Sequence, residues 1–324
     1  MVQVERLIAV DGKEYNIKFL GQLLWFTITD LRVTLEQLKG AFRRTGIDES
    51  YLPKPINPRD AFRKASTMAE VKGYPLGEGK KLNLLVREVK QEKDLIIRQL
   101  VREVVDAKNV RLEYLPVAKL ELSGEKGEHL EIRDMINGKN LYPIERKTLD
   151  NICVNYEREK ENYNGQNVRD IIMRVLRNCN PVAVRPSGGV YFVPKQYRPT
   201  VDSLKELVRL LNTHKVTTYN CEMWSVPVVD AEEQRAMVRQ NLEEQVMAES
   251  KALLEELADL LKAEHIKIRT KTAQKYIEQV RTLAQMVREY EDLLDTKITT
   301  VKANLDLVKA QAMALLEKAE TEAA

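Results

Sequence analysis

Apolar residues recur at helical spacing between positions 164 and 180, and a different pattern follows directly. Pro181 cannot continue a helix, so the helix is expected to end before it. Two β-rich runs follow, 182–185 and 190–193, joined by a Pro-Ser-Gly-Gly turn whose glycines permit the positive φ of a hairpin. A helix that leads directly into a hairpin predicts a winged-helix-like unit. The inward face of the helix consists of Val168, Ile171, Ile172, Val175 and Leu176.

The N-terminal pattern predicts a hairpin and then a helix. Residues 2–10 and 14–20 have β-rich patterns and flank an Asp-Gly pair, which suits a type I′ turn. Thr34 and Gln37 have the spacing of a capping box, so a helix is expected to begin there.

A second helix and a run of strands are predicted next. Asn57 is a good N-cap and Pro58 suits the first helical position. From 82 to 122 the chain alternates apolar and charged residues around turn-like stretches, which predicts an antiparallel meander. The segment 95–105 also has apolar positions at helical spacing, so a helix is the alternative there.

The segments on either side of the helix–hairpin unit complete the predicted globular part. A helix is expected over 144–163, before the unit. After it, Thr200 is placed to begin another helix, and 216–228 has the pattern of a strand.

The last hundred residues are predicted to be helical, because no glycine or proline occurs between 228 and 324, although the stretch 265–272 interrupts the apolar pattern. From Ile277 onward, apolar residues keep 3–4 spacing, which is the seam of a coiled coil. One helix over 270–320 would be roughly 75 Å long at 1.5 Å per residue. Pairing between subunits is favoured, and an antiparallel pair within one chain is the alternative. The candidate oligomerisation residues are Ile277, Val280, Val287, Leu294, Ile298, Val301, Leu305, Val308 and Leu315.

These elements predict an α+β fold with a winged-helix-like unit, followed by a helical coiled-coil tail. Three domains are expected: a hairpin with two helices in 1–80, the meander and winged-helix-like region in 81–228, and the oligomerising tail in 229–324.

Charge is unevenly distributed along the chain, although the net charge is only +3. From position 229 there are 14 basic and 19 acidic residues, a net −5, so the first 228 residues carry +8. The basic surplus thus lies in the part that contains the predicted hairpin. A mildly basic, solvated domain accounts for this surplus as well as a nucleic-acid surface does.

A winged helix contacts nucleic acid through its second helix and its hairpin, with cations placed to reach phosphates. The alternative is a structural hairpin, packed by Tyr191 and Phe192, whose arginines pair with nearby carboxylates. The candidate nucleic-acid contacts are Arg169, Arg174, Arg177, Arg185, Gly188, Gly189, Lys195 and Arg198.

Other chemistry has weaker support in the sequence. Asp134, Glu145 and Lys147 are the residue types of a metal-dependent nuclease, but the segment around Glu145 resembles the start of a helix, which favours structural ion pairing. The three histidines lack metal-ligand spacing, and the three cysteines lack CxxC spacing, which fits reduced, mostly buried thiols. The Arg-Pro-Ser-Gly-Gly stretch lacks the pattern of a phosphate-binding loop. No cofactor or metal is therefore expected.

Two short stretches, FRKAS at 62–66 and RPSGGVYFVP at 185–194, resemble a group of uncharacterised proteins encoded by bacteria and their phages. The resemblance implies a prokaryotic or phage origin and transfers no activity.

The sequence therefore favours a non-enzymatic nucleic-acid-binding protein that oligomerises through its tail. The alternative is a protein-interaction or assembly factor, such as a phage-encoded inhibitor or adaptor. No membrane contact is expected, because no run of about 18 apolar residues occurs. The N-terminus has acidic residues where a signal peptide would be basic, so a cytoplasmic location is predicted.

Overall fold

The computed structural model describes residues 18–124, 129–136, 141–185, 188–263 and 269–321. The protein is a mixed α+β protein with antiparallel sheets, which confirms the predicted class.

The chain divides into two compact units. The meander unit consists of residues 31–40 and 52–167, and the bundle unit consists of the described parts of 1–30, 41–51 and 168–324. The bundle unit therefore takes segments from all three of the ranges predicted as domains. The predicted N-terminal hairpin lies almost wholly outside the described residues.

An antiparallel sheet of five strands forms the meander unit, in the order β2-β3-β4-β5-β6. Its strands are β2 (Val71–Gly77), β3 (Lys80–Glu92), β4 (Leu95–Val105), β5 (Arg111–Ser123) and β6 (His129–Asp134). The segment that also suited a helix is β4, in which Leu100 lies opposite Val86 on one side and Ala118 on the other. The predicted meander is confirmed.

Two helices, α2 (Pro58–Met68) and α3 (Pro143–Glu161), pack on this sheet. Helix α2 begins as predicted, because the Asn57 side chain accepts a hydrogen bond from the Arg59 amide at 3.0 Å and Pro58 occupies the first turn. Phe62 of α2 and Tyr156 of α3 meet edge to face, with ring centroids 6.0 Å apart. Both aromatic side chains are buried and anchor the core of the unit.

The bundle unit is built on a sheet of four strands in the order β7-β8-β1-β9. These strands are β1 (Phe19–Thr27), β7 (Val182–Ala183), β8 (Tyr191–Pro194) and β9 (Glu222–Val229). The predicted hairpin is present as β7 and β8, and Gly188 and Gly189 in its connection have φ values of +70° and +89°. The sequence predicts a strand ending at Leu20, but β1 extends to Thr27 and occupies an interior position of the sheet.

The remaining helices include the one that precedes the hairpin and the three of the tail. They are α1 (Leu35–Thr45), α4 (Gly165–Arg177), α5 (Arg198–Leu211), α6 (Glu232–Lys262), α7 (Thr270–Leu294) and α8 (Lys302–Thr321). Thr34 and Gln37 form the predicted capping box of α1, since the Gln37 amide donates to Thr34 Oγ1 and the Thr34 amide to Gln37 Oε1.

Of the arrangements considered for the tail, one long helix over 270–320 does not form, because the chain leaves helical geometry between α7 and α8. Asp295 adopts a left-handed conformation with a φ of 49°. The Glu291 carboxylate, at a seam position, accepts a hydrogen bond from the Ile298 amide at 2.8 Å. A side chain thus ends the helix and organises the link, without any glycine or proline.

The apolar seam of the tail is buried within the chain itself. Two clusters contain its side chains, one with Leu242 and Val246 of α6 and the other with Leu257 of the same helix. Ile277 and Leu305 are half-buried. The fully buried seam residues are Val280, Val287, Leu294, Ile298, Val301, Val308 and Leu315. Self-association stays a prediction, and it would have to use other surfaces.

Helices α6 and α7 also cover part of the four-stranded sheet. Leu20, Phe192 and Val228 lie in the same buried cluster as Tyr290 of α7. At the other end of the sheet, Trp25 of β1 lies opposite Trp224 of β9, and they remain 36% and 56% exposed. The cover is therefore incomplete at this end among the described residues.

A polar cluster fixes α7 to the turn that precedes β7. The Tyr290 hydroxyl donates to the Asn180 carbonyl at 2.7 Å, and the Tyr197 hydroxyl donates to the neighbouring Glu289 carboxylate at 3.1 Å. The side-chain amides of Asn180 and Gln196 also donate to Glu289. Burial, followed by the adjacent Glu289 charge, raises the pKa of Tyr197 to about 12.

No helix in the part of the chain that the structure describes has the length and apolar character needed to cross a membrane.

Candidate functional site

Two of the predicted nucleic-acid contacts on α4 bind the protein's own backbone. The Arg169 guanidinium donates to the Ile28 carbonyl. Arg174 donates to the Tyr51 carbonyl at 2.7 Å. A guanidinium engaged in this way would have to give up a charge-assisted hydrogen bond to reach a phosphate. These two arginines therefore hold α4 in the bundle unit.

The other predicted cations are exposed but do not converge. Arg185 follows β7 in the connection of the hairpin, whereas Lys195 directly follows β8 at the opposite end. Arg198 faces Asp202 at 3.9 Å, with both side chains largely exposed. Arg177 lines a cavity of about 560 Å³ together with other charged residues of both signs. Those neighbours are Lys275, Glu249, Glu256 and Glu278.

The hypothetical nuclease residue Glu145 is a structural group. Its carboxylate is fully buried and makes two hydrogen bonds of 2.8 Å with the Arg102 guanidinium. It also accepts a hydrogen bond from the Tyr142 amide at 2.8 Å, and the Arg102 guanidinium lies 4.4 Å from the centre of the Tyr142 ring. The hydrogen bonds to Glu145 outweigh burial and raise the pKa of Arg102. The favoured interpretation, structural ion pairing, is confirmed.

Glu159 is a second buried carboxylate of the meander unit with a structural role. Lys64 lies 2.5 Å from it, Arg158 3.4 Å and Arg32 3.7 Å. Burial would raise the pKa of Glu159, but the Lys64 hydrogen bond and the surrounding positive charges lower it below its usual value.

The cysteines and the described acidic residues are the remaining candidates for a reactive or metal-binding group. Cys179 and Cys221 are buried and Cys153 is exposed, so the prediction of mostly buried thiols is confirmed. Burial raises the pKa of Cys179 to about 11. Burial and the charges of Asp150 and Glu157 raise the pKa of Cys153, which lowers its reactivity. Within the described ranges, no group of three or more His, Cys, Asp or Glu side chains is placed to hold a metal ion.

An open groove between α7 and α8 is the strongest candidate binding site. Its volume is about 350 Å³, within the usual range of ligand pockets. The lining is predominantly apolar and is formed by Ile277, Val280, Ala284, Ala312 and Met313. Three cations, Arg281, Arg288 and Lys309, lie around it, together with Gln285.

The local sequence explains why a groove forms here. Ala284 and Ala312 occupy positions in the seam where larger apolar residues close the packing elsewhere in the tail. Val280 and Ala312 are 5% and 1% exposed, so the floor is firmly packed. Small residues at these two seam positions, one on each helix, leave an unfilled apolar depression on the surface.

The charge around the groove is positive. Arg281 has Glu278 at 3.6 Å, but both side chains are more than two-thirds exposed, so that pair is weak. Among the described residues, the groove is lined by no carboxylate, histidine or cysteine. It is suited to bind a ligand that is both apolar and anionic.

Sequence reasoning identified the seam but missed the groove. Ile277 and Val280 line it and were predicted as oligomerisation residues, whereas Arg281, Arg288 and Lys309 were not singled out. The sequence signal that could have identified the groove is the pair of alanines in the seam, together with two arginines seven positions apart on α7.

A model of a family of unknown function, DUF6744, matches residues 19–321, so the chain belongs to that family. The expected membership of an uncharacterised family is confirmed. No curated protein and no solved structure matches the chain.

Proposed function

We propose that this member of the DUF6744 family is a non-enzymatic protein-interaction factor, an adaptor or assembly protein that holds another protein through its helical tail. The observation that carries the proposal is the apolar groove between α7 and α8 with Arg281, Arg288 and Lys309 around it. Apolar surface supplies binding energy, and the surrounding cations select partners of opposite charge.

The proposal is tested by capture from nuclease-treated bacterial lysate. Tagged protein is compared with an Arg281→Glu/Arg288→Glu variant and with an Arg44→Glu/Lys251→Glu control, which reverses two exposed charges outside the groove. We expect a stoichiometric protein that is retained by the wild type and the control and lost by the groove variant. The retained protein is then purified and titrated against the same three proteins by calorimetry. Equal affinity for all three contradicts the proposal.

Nucleic-acid binding is the second candidate function. It is supported by the order of elements, because α4 leads into the β7–β8 hairpin and β8 pairs with β1, as in a winged-helix-like unit. Arg177, Arg185 and Lys195 are exposed on this unit, although Arg169 and Arg174 are engaged. Three exposed cations predict weak, strongly salt-dependent binding.

A mobility-shift titration with duplex and single-stranded DNA and RNA tests this second candidate. Replacing Arg177, Arg185 and Lys195 with alanine should weaken binding and reduce its salt dependence. Replacing Arg44, Lys251 and Lys302 with alanine removes the same charge elsewhere and should have a smaller effect. No shift at low ionic strength contradicts the candidate.

Self-association through residues 229–324 is also part of the proposal, with a cytoplasmic location and a bacterial or phage origin. The resemblance of residues 62–66 and 185–194 to bacterial and phage proteins supports the origin. The solution mass of the full chain tests self-association across a range of concentrations. Removing the tail is not a suitable test, because α6 and α7 pack against Leu20 and Phe192 of the sheet.

A further inference from the structure

The groove between α7 and α8 has the shape of a site for one more helix. Its α7 wall runs from Ile277 to Arg288 along one helical face, because the lining positions are three or four residues apart. Eleven residues of helix extend for roughly 17 Å. This length matches about three turns of a docked helix, laid in the trough between two packed helices.

The floor of the groove suits an apolar helical stripe. The small Ala284 permits close approach of a third helix, and the half-buried Ile277 offers a branched side chain against which that helix can pack. Met313 is 44% exposed at one wall, and its flexible side chain adapts to different occupants. A nucleic-acid strand would leave this apolar floor without a complementary surface.

The positive charges around the floor determine which charge the occupant must carry. Arg281 and Arg288 are seven residues apart on α7, so they are roughly 10 Å apart along the helix. Lys309 contributes a third cation from α8. Cations at these positions can pair with carboxylates that lie seven residues apart on a docked helix, beside its apolar stripe. The groove is a basic site in a tail that has more acidic than basic residues.

We propose that the occupant is a single amphipathic α-helix of about three turns from an acidic segment of a partner protein. Its apolar stripe contacts Ile277, Ala284 and Met313, and its flanking carboxylates pair with Arg281 and Arg288. This inference rests on the proposed function and specifies its partner.

The probes for the test are fluorescein-labelled peptides of about 14 residues, capped at both ends and helical. Each has a fixed leucine stripe at 3–4 spacing, and the set varies the register of two glutamates seven positions apart. The comparison peptides carry lysines in place of the glutamates, or a central proline that breaks the helix. Binding to the full chain is followed by fluorescence anisotropy.

We expect at least one acidic helical peptide to bind, and the lysine and proline versions to bind at least about tenfold more weakly. Arg281→Glu/Arg288→Glu should reduce affinity by about tenfold or more, and Ala284→Phe should abolish binding by filling the groove. Ala248→Phe, on an exposed position of α6, is the matched control and should bind normally. The peptide comparisons on the unaltered protein remain decisive even if a variant fails to fold.

Three results overturn the inference. The first is that no acidic peptide of the set binds. The second is a dimer of the full chain that Arg281→Glu/Arg288→Glu dissociates, which would make a second copy the occupant. The third is groove-dependent binding of anionic lipid vesicles with no peptide binding. If no peptide binds while a captured protein still depends on Arg281 and Arg288, the proposed function stands and only the helical, acidic partner is wrong.

Discussion

Trp25 and Trp224 lie directly opposite each other across strands β1 and β9, and both are exposed. They are the only two tryptophans of the chain, so its intrinsic fluorescence reports on this corner of the bundle unit. We expect emission typical of solvated indole and efficient quenching by acrylamide. Cross-strand pairs contribute about 0.2–1 kcal/mol, so Trp224→Ala should lower the free energy of unfolding by no more than that. Blue-shifted emission from both residues would contradict the exposure.

Gly21 lies where strand β8 passes too close for a side chain. A Cβ atom there would overlap the Val193 carbonyl oxygen and approach the Phe192 ring to 2.8 Å. Gly21→Ala should therefore destabilise the protein by about 1–3 kcal/mol, the range for overpacking. Gly40 in α1 has open space around its Cβ position, so Gly40→Ala is the matched control and should stabilise by about 0.5–1 kcal/mol. Urea denaturation measures both, and equal effects would refute the argument.

The buried pair of Arg102 and Glu145 should be sensitive to the loss of one partner. Glu145→Ala leaves the Arg102 guanidinium, itself 7% exposed, without its main partner. A loss of about 3–5 kcal/mol in the free energy of unfolding is expected. Lys147→Ala on the exposed side of the same helix is the control and should change stability little. Replacing both partners with Leu and Met should cost less than the single change, and a larger cost would count against the desolvation argument.

Alkaline pH should weaken the cluster around Glu289. The folded pKa of Tyr197, about 12, lies above the ordinary value of 10, so its contribution to stability is complete below pH 10. The contribution is lost as the pH rises from 10 through 12, because the unfolded chain releases the proton first. Urea denaturation at pH 9 and pH 11 measures this loss, which Tyr197→Phe should reduce.

Glu289→Gln separates the charge effect from the burial effect in the same cluster. This change removes the adjacent negative charge but keeps a hydrogen-bond acceptor for the Tyr197 hydroxyl. The pKa of Tyr197 should fall towards its ordinary value and remain above it, because burial is the larger cause. The difference between absorbance titrations of proteins with and without Tyr197 provides the value, and an unchanged pKa would show that the carboxylate has no effect.

The parts of the fold that sequence predicts well are fixed by local interactions. The start of α2 depends on Asn57 and Pro58, and both act on their immediate neighbours. The meander depends on alternation along the strands, which is visible in the first half of β4 and the second half of β5. In β4 the β-branched residues and flanking turns outweigh the helical spacing once the two neighbouring strands supply hydrogen bonds.

The parts that sequence misses depend on distant residues or on single side chains. The partners of β1 lie beyond residue 190, so nothing near Leu20 indicates that the strand continues to Thr27. The break after α7 depends on the Glu291 carboxylate, which local helix propensity does not anticipate. The cations around the groove become a candidate site only when α7 and α8 lie side by side.

The discontinuity of the bundle unit sets the order of events during synthesis on the ribosome. Most of the meander unit is one continuous segment, 52–167, which is complete before the partners of β1 are made. The first strand therefore has to wait, unpaired, until β8 and β9 emerge. Co-translational folding should begin with the meander unit, and β1 should join β8 and β9 later.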